Sequence, residues 1–206
     1  MRLFVIGATG RTGTEVLDLA CGRGHEVTAF VRSPQKIGPA RSLRVVQGDP
    51  RRPESIAAAL SGHDAVLSAI GPRPREAFRP STLVTDCARA TVEAMALAGV
   101  PRLVIVSAAI LFPEKGLYFR FFQWLIRHHA RDLRAMEAIV RVSGLAWTIA
   151  RPPRLTKSTD ASFRALRDAL PPGSRAMSFR SVAAFLLDAV ERKSHVSEIV
   201  GLGPAT

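Results

Sequence analysis

At 206 residues, 47% of them hydrophobic and 22% charged, the chain is long enough to bury one substantial core. With 15 Gly, 14 Pro and abundant large aliphatic residues it fits none of the collagen-like, coiled-coil, low-complexity or disordered classes. A formal net charge of +12, almost wholly from arginine, admits nucleic acid, an anionic membrane face or phosphate-bearing ligands, but no basic stripe interleaved with aromatic platforms accompanies it.

The chain opens on Leu3–Ile6, read as a strand. Its four apolar residues before Gly7 fall short of the ~7–15 of a signal peptide, so a cytoplasmic protein is expected. GATGRTG follows at once, with Gly7, Gly10 and Gly13 spaced as GxxGxxG, and the pattern turns helical over Thr12–Cys21. Between a strand and a helix this triple predicts a pyrophosphate site. Gly7 permits the tight turn, Gly10 lets backbone N–H groups approach the phosphates, and Gly13 lets the helix pack against the strand. Thr9, Arg11 and Thr12 complete the candidate cradle, Thr12 by its hydroxyl.

Strand Val27–Val31 ends at Arg32-Ser33, where a dinucleotide fold selects its cofactor. An acidic residue there would accept from the 2′-OH of NAD, whereas an arginine suits the 2′-phosphate of NADP, so NADP(H) is the expected cofactor. Arg32 can also stack on the adenine and Ser33 can donate to the phosphate; a solvated loop arginine is the alternative. Strand Leu43–Val46 leads to Gly48-Asp49, expected beside the adenine, and then to helix Glu54–Leu60. Strand Ala65–Ala69 runs out into Ile70-Gly71, expected beside the ribose and pyrophosphate. Arg73, Arg75 and Arg79 in the next loop either grip an acidic ligand or are plain surface charges.

Helix Thr82–Ala98 is punctuated by Gly99 and Pro101, and strand Leu103–Val106 delivers Ser107, a nicotinamide contact or a strand-end hydroxyl. The longest apolar run, from Leu103 to Phe112, is about half the ~20 residues of a membrane span. A helix is expected over Tyr118–Val142. Its start crowds Phe119, Phe121, Phe122 and Trp124 ahead of Arg127, Arg131 and Arg134; Leu117, Phe121, Trp124, Leu125 and His128 share one stripe, with Phe122 and Ile126 off it. Core, acceptor pocket, dimer face and anionic membrane are all open to this stretch. Strand Ala146–Ala150 leads to Pro152-Pro153-Arg154 and an irregular zone, 152–178, where a substrate lid is expected. Helix Val182–Glu191 and strand Glu198–Gly201 close the chain.

About seven strands alternating with helices predict an α/β fold: one doubly wound, Rossmann-like parallel sheet with helices on both faces, a single domain over 1–206. Cys21 and Cys87 lack any CxxC or metal-ligand spacing and read as small buried residues, so no metal is expected.

Taken together, GATGRTG, VRSPQKI, QGDPRRPESIAAALSGHDAVLSAIG, GVPRLVIVSA and SGLAWTIARPPRLT resemble the atypical short-chain dehydrogenase/reductase group of NAD(P)H-binding, NmrA-like proteins. Within it the likeness is nearest to the flavin reductase/biliverdin-IXβ reductase type and covers nearly the whole chain. The resemblance implies that Gly7, Thr9, Gly10, Thr12 and Gly13 hold the pyrophosphate, Arg32 the 2′-phosphate and Asp49 the adenine. It also implies Ile70, Gly71, Ser107, Pro152 and Pro153 around the ribose and nicotinamide.

The departures bear on chemistry. The Tyr-x-x-x-Lys pair of most short-chain reductases is missing: the single tyrosine, Tyr118, has Phe122 four residues on. His129 and Leu133 fall near the dyad positions, which makes His129 a candidate proton donor or a surface histidine beside His128. Ala108 stands where flavin-reductase relatives carry a serine, one place after Ser107, and Arg154 replaces a histidine; its planar fork suits an anionic acceptor. Ser107, Arg154 and His129 are the candidate catalytic residues. The expected activity is NADPH-dependent hydride transfer to a conjugated small molecule, anionic and aromatic, such as a flavin, quinone or tetrapyrrole. An NADP(H)-binding redox sensor without turnover is the other reading. No specific nucleic acid and no membrane span are expected, and the protein is expected to be a monomer or weak homodimer.

Overall fold

A computed structural model describes residues 1–38, 43–72, 76, 78–113 and 127–205. The strands are β1 Arg2–Ile6, β2 Glu26–Val31, β3 Leu43–Gln47, β4 Ala65–Ser68, β5 Arg102–Val106, β6 Ala146–Arg151, β7 Arg154–Thr156, β8 Arg164–Arg167, β9 Ala176–Ser178 and β10 Glu198–Gly203. The helices among the described residues are α1 Arg11–Gly22, α2 Pro53–Leu60, α3 Leu83–Ala98, α4 Arg127–Arg141 and α5 Phe179–Glu191. Eight strands form one sheet in the order β3-β2-β1-β4-β5-β6-β10-β8. All its pairings are parallel except β10 with β8. The chain winds outward from β1 through β2 and β3, returns to β4 on the other side of β1, and winds outward again. The crevice between β1 and β4 is therefore the switch point, where ligands bind in open α/β sheets.

Both faces of the sheet are covered, which is why its central strands are continuous apolar runs. Leu3 and Val5 of β1 pack into one core with Val16, Leu17 and Ala20 of α1 and Val182, Phe185, Leu186 and Ala189 of α5. Phe4 and Ile6 point the other way, into a core with Ile56 and Leu60 of α2, Val84 and Ala88 of α3, and Leu133, Met136 and Val140 of α4. Spacings of three and four residues put each helical set on one stripe. Every expected strand is present, with ends shifted by at most two residues, and the expected doubly wound sheet is the observed one.

Two features differ from the sequence reading, and one lies beyond comparison. The zone 152–178 is not irregular: it holds β7 and β9, paired in parallel, and β8, which extends the main sheet. Cys21 is only half-buried, whereas Cys87 is fully buried. The aromatic part of the expected helix over Tyr118–Val142, residues 117–126, lies outside the described residues, as do Arg73 and Arg75.

Charged side chains also work inside the fold. Arg102, 7% exposed, donates to the carbonyls of Ala146, Ala189 and Ser194, locking the C-terminal end of α5 onto β5 and β6. Burial without a carboxylate partner pulls its pKa down to about 10. Asp132 of α4, also buried, accepts from the backbone N–H groups of Val84 and Thr85 and from the Thr85 hydroxyl. It thereby caps the first turn of α3 from a neighbouring helix.

Candidate active site

The β1–α1 turn lies at the switch point. Gly7 has φ +83°, a left-handed conformation, and a Cβ there would stand 2.8 Å from the Ala69 carbonyl. A Cβ on Gly13 would stand 2.1 Å from the Gly7 oxygen, so α1 can lie this close to the turn only with glycine. Gly10 bonds back to the Gly7 carbonyl at 2.9 Å, and the helical ladder begins with Thr14 N–H to Gly10 at 2.8 Å. The N–H groups of Arg11, Thr12 and Gly13 are left without helical acceptors, a positive helix end that suits an anion.

In front of this turn is a cleft of about 490 Å³. Of the residues expected to bind cofactor, Gly7, Thr9, Gly10, Arg32, Ser33, Asp49, Ile70 and Gly71 line it. Arg11, Thr12, Gly13, Ser107, Pro152 and Pro153 do not. Arg11 is exposed over the ring of Phe179, 5.6 Å from its centroid, and Thr12 is buried in the first turn. The sequence reading missed Lys36, Arg51, Glu76 and Cys87 on the wall. Lys36 is brought in by the short helical turn Pro34–Lys36, and the Arg51 N–H donates to the Asp49 carboxylate at 3.0 Å. The Cys87 thiol is pushed up to about 11, mostly by burial with help from Asp49 and Asp86 and against Arg51 and Arg32, so it is a neutral wall and not a nucleophile. A second cavity, about 450 Å³, lies at the opposite edge of the sheet beside Arg2, Thr28, Arg44 and His63, away from the glycine turn and the switch point.

One step along the sheet, β5 and β6 end side by side: Val106 faces Ala150, and Ser107 N–H donates to the Ala150 carbonyl at 2.7 Å. The Ser107 hydroxyl donates to Glu137 Oε1 at 2.6 Å. Arg151 donates to the same carboxylate twice, Nε to Oε1 at 2.9 Å and Nη2 to Oε2 at 2.6 Å, and its guanidinium lies 4.7 Å from the centroid of the Phe112 ring. Neither Glu137 nor Arg151 was legible as a site residue, because they meet only once α4 packs on β6.

The other two candidate catalytic residues lie apart from the cleft. His129 is half-buried on α4; burial lowers its pKa, with Asp132 opposing, which favours the neutral imidazole. Leu133, four residues on, is 2% exposed and packs in the core. Arg154 is exposed on β7, opposite Ala176. Pro152 is buried, its carbonyl accepting from Ala109 N–H at 2.8 Å, and Arg79 is exposed.

Comparison with known proteins agrees with this geometry. The model of an NAD(P)H-binding family matches residues 7–193, from the glycine turn to just past α5. The chain is 30% identical over 157 residues to a protein of Bacillus subtilis (strain 168) named an uncharacterized sugar epimerase, covering 74% of this chain and 71% of that one. It is 25% identical over 205 residues to the NAD(P)H azoreductase of Xenophilus azovorans, covering 95% of this chain and 65% of that one. A short-chain dehydrogenase/reductase of Veillonella parvula DSM 2008, solved in complex with NADP, matches with a TM-score of 0.83 over 99% of this chain and 94% of that one; at 17% identity this is a likeness of fold. Among the described residues no helix is long and apolar enough to cross a membrane. The chain therefore belongs to the NAD(P)H-binding family, on a Rossmann-like, doubly wound sheet.

Proposed function

We propose that the protein is an NADPH-dependent reductase that passes hydride to a conjugated acceptor such as a flavin, a quinone or a tetrapyrrole-like molecule. The observation that carries the cofactor choice is the set of cations on the β2 side of the cleft, with the carboxylates Asp49 and Glu76 elsewhere on its wall. Arg32 and Lys36 follow β2, Arg51 lines the same wall, and the loop 32–38 holds no carboxylate. Such a set suits a 2′-phosphate, whereas a free 2′-hydroxyl calls for an acidic acceptor. The free N–H groups of Arg11, Thr12 and Gly13 would take the pyrophosphate, Asp49 the adenine, and Ile70 and Gly71 the ribose. Ser107, Pro152 and Pro153 would border the nicotinamide.

When bound, the reduced nicotinamide supplies the hydride from its C4. The chain's own contribution is orientation. Ser107 has its proton committed to Glu137, His129 stands off the cleft, and Arg154 is a permanent cation, so no proton donor is poised among the candidate residues. A conjugated acceptor tolerates that, because its delocalised anion can take a proton from water once hydride has arrived. The relative named NAD(P)H azoreductase supports an acceptor of this kind, since an azo group is conjugated. Arg154 would steer an anionic acceptor. The segment 152–178 would act as a fixed wall, for the hydroxyls of Ser178 and Ser181 both anchor it by donating to the Asp160 carbonyl.

The same committed Ser107 proton favours a second reading, an NADP(H) sensor without turnover. Mixing the protein with stoichiometric NADPH separates the two, with binding followed by nicotinamide fluorescence and oxidation by loss of reduced-cofactor absorbance as acceptors are added. Acceptor-dependent oxidation supports the reductase and binding without oxidation the sensor. Absence of binding refutes both.

A further inference from the structure

We propose that Glu137 and Arg151 are positioning residues that make the Ser107 hydroxyl an obligate hydrogen-bond acceptor, matched to the carboxamide N–H of a nicotinamide lying over the ends of β5 and β6. The ligand rests on the cofactor reading above; the polarity rests on the side-chain network alone. A serine hydroxyl has one proton and two lone pairs. The Ser107 proton goes to Glu137 Oε1 at 2.6 Å. Arg151 occupies both oxygens of that carboxylate and has no acceptor of its own, so nothing in the network returns a proton to Ser107. No described group donates to the Ser107 oxygen, and its lone pairs are left for a donor from outside.

The arrangement is rigid. Ser107 is 7% and Glu137 5% exposed, and the Phe112 ring covers the Arg151 guanidinium. A buried, doubly bonded ion pair does not exchange partners readily, since separating it strands a charge out of water. Its position is also right. Ser68 of β4 pairs with Ile105 of β5, so Ile70 and Ser107, each two residues on, leave the sheet at one level. Ile70 lines the cleft, and Ser107, outside the cleft itself, is at the next strand end along the same edge of the sheet, within the span of a ligand that extends from the switch point towards β5. A carboxamide presents a donor on one side and an acceptor on the other. An acceptor-only serine selects one of its two orientations and so fixes which way the ring lies.

The test is calorimetric binding of NADP⁺ and of its 3-acetylpyridine analogue, in which a methyl group replaces the amide nitrogen. Wild type is expected to prefer NADP⁺ by roughly 3- to 10-fold, the worth of one hydrogen bond. Ser107→Ala, which leaves the Glu137–Arg151 pair whole, should abolish that preference by weakening NADP⁺ alone. Glu137→Gln releases the Ser107 proton to point outward, towards the acetyl oxygen, and should abolish or invert the preference. Glu137→Asp keeps the charge while withdrawing from Ser107, and should do the same if Glu137→Gln does not fold. A residue of purely structural importance would weaken both ligands equally. Equal weakening, or a preference intact in Ser107→Ala, overturns the proposal while leaving the cofactor reading standing. Failure of the wild-type protein to bind either ligand overturns both.

Discussion

Replacing the three glycines of the β1–α1 turn one at a time separates what the turn does for folding from what it does for a ligand. A Cβ on Gly13 begins 2.1 Å from the Gly7 carbonyl oxygen and 2.7 Å from the Ala8 Cα, so backbone must retreat by roughly 0.9 Å to reach the 3.0 Å floor of real contacts. Overpacking of that kind costs about 1–3 kcal/mol, or about 2–12 °C of melting temperature in a chain of this size. Gly7→Ala adds left-handed strain to a 2.8 Å clash with the Ala69 backbone and should cost about 2–4 kcal/mol. Gly10 is different. Its φ of −79° and ψ of 165° suit any residue, and a Cβ there meets only the Gly7 oxygen closely, at 3.1 Å. Gly10→Ala should therefore melt within about 1 kcal/mol of wild type. Gly10→Asp should also stay folded, yet it sets a carboxylate against the pyrophosphate site. Two like charges ~4 Å apart at an effective dielectric of ~20 repel by about 4 kcal/mol, near a thousandfold in affinity. Thermal unfolding and calorimetric NADPH titration of the four variants read the two effects separately. A folded Gly10→Asp protein that binds NADPH like wild type would refute the phosphate assignment, and a Gly13→Ala protein with unchanged melting would refute the steric argument.

Arg32→Ala removes a charge-assisted contact worth about 1.5–3 kcal/mol, at the low end here because the side chain is exposed, so NADPH should weaken about tenfold and NADH hardly at all; equal losses in parallel titrations would sink the 2′-phosphate role. Arg102→Met leaves three carbonyls without their donor and should cost about 3 kcal/mol, seen as a melting point lower by about 6–12 °C with cofactor affinity preserved; an unchanged melting point would mean that relief of the buried charge offsets the lost bonds. Asp132→Ala strips the buried cap of α3, costing about 2 kcal/mol, and should weaken NADPH as well because Leu83 and Cys87 of that helix line the cleft; an affinity unaltered in the folded variant would uncouple cap and cleft. Glu191 is held below the ordinary carboxyl pKa: burial pushes it up, but bonds from His25 at 2.7 Å and Arg23 at 2.9 Å outweigh that. Its depressed folded-state pKa contributes stability above the ordinary 4.5, lost as pH falls through the lower folded value. Glu191→Gln should cost about 0.5–1 kcal/mol at pH 7 and nothing at pH ~2–3, and a cost constant across that range would contradict the assignment.

What could be read in advance followed from periodicity and from glycine. The central strands, buried on both faces, are apolar throughout and could hardly be mistaken, as with Leu3–Ile6 and Leu103–Val106. The edge escaped notice for the opposite reason. All four residues of β8, Arg164 to Arg167, are exposed, and the strand exists because its backbone pairs with β10, a bond pattern that no side chain announces. Charge misled in the same way. Arg102, Asp132 and Glu137 look like surface residues in the sequence and are each at most 7% exposed, because each satisfies distant partners that only the fold brings within reach.

The two halves of the site differ in the same respect. From β1 to β4 it is built of backbone: a left-handed turn, free N–H groups and a helix packed against a carbonyl, and each of these demands glycine at a set spacing that sequence displays. From β5 to β6 it is built of side chains paired across elements, Ser107 on Glu137 thirty residues away and Glu137 on Arg151 fourteen away, and no local pattern encodes such a pairing. A backbone cradle suits the phosphates, which any member of the family must hold. The side-chain half can vary without disturbing that cradle, and here it holds a hydroxyl whose proton already goes to Glu137. That is why a nicotinamide-dinucleotide fold was legible before the structure was known, whereas the pairing that fixes the polarity of Ser107 was not.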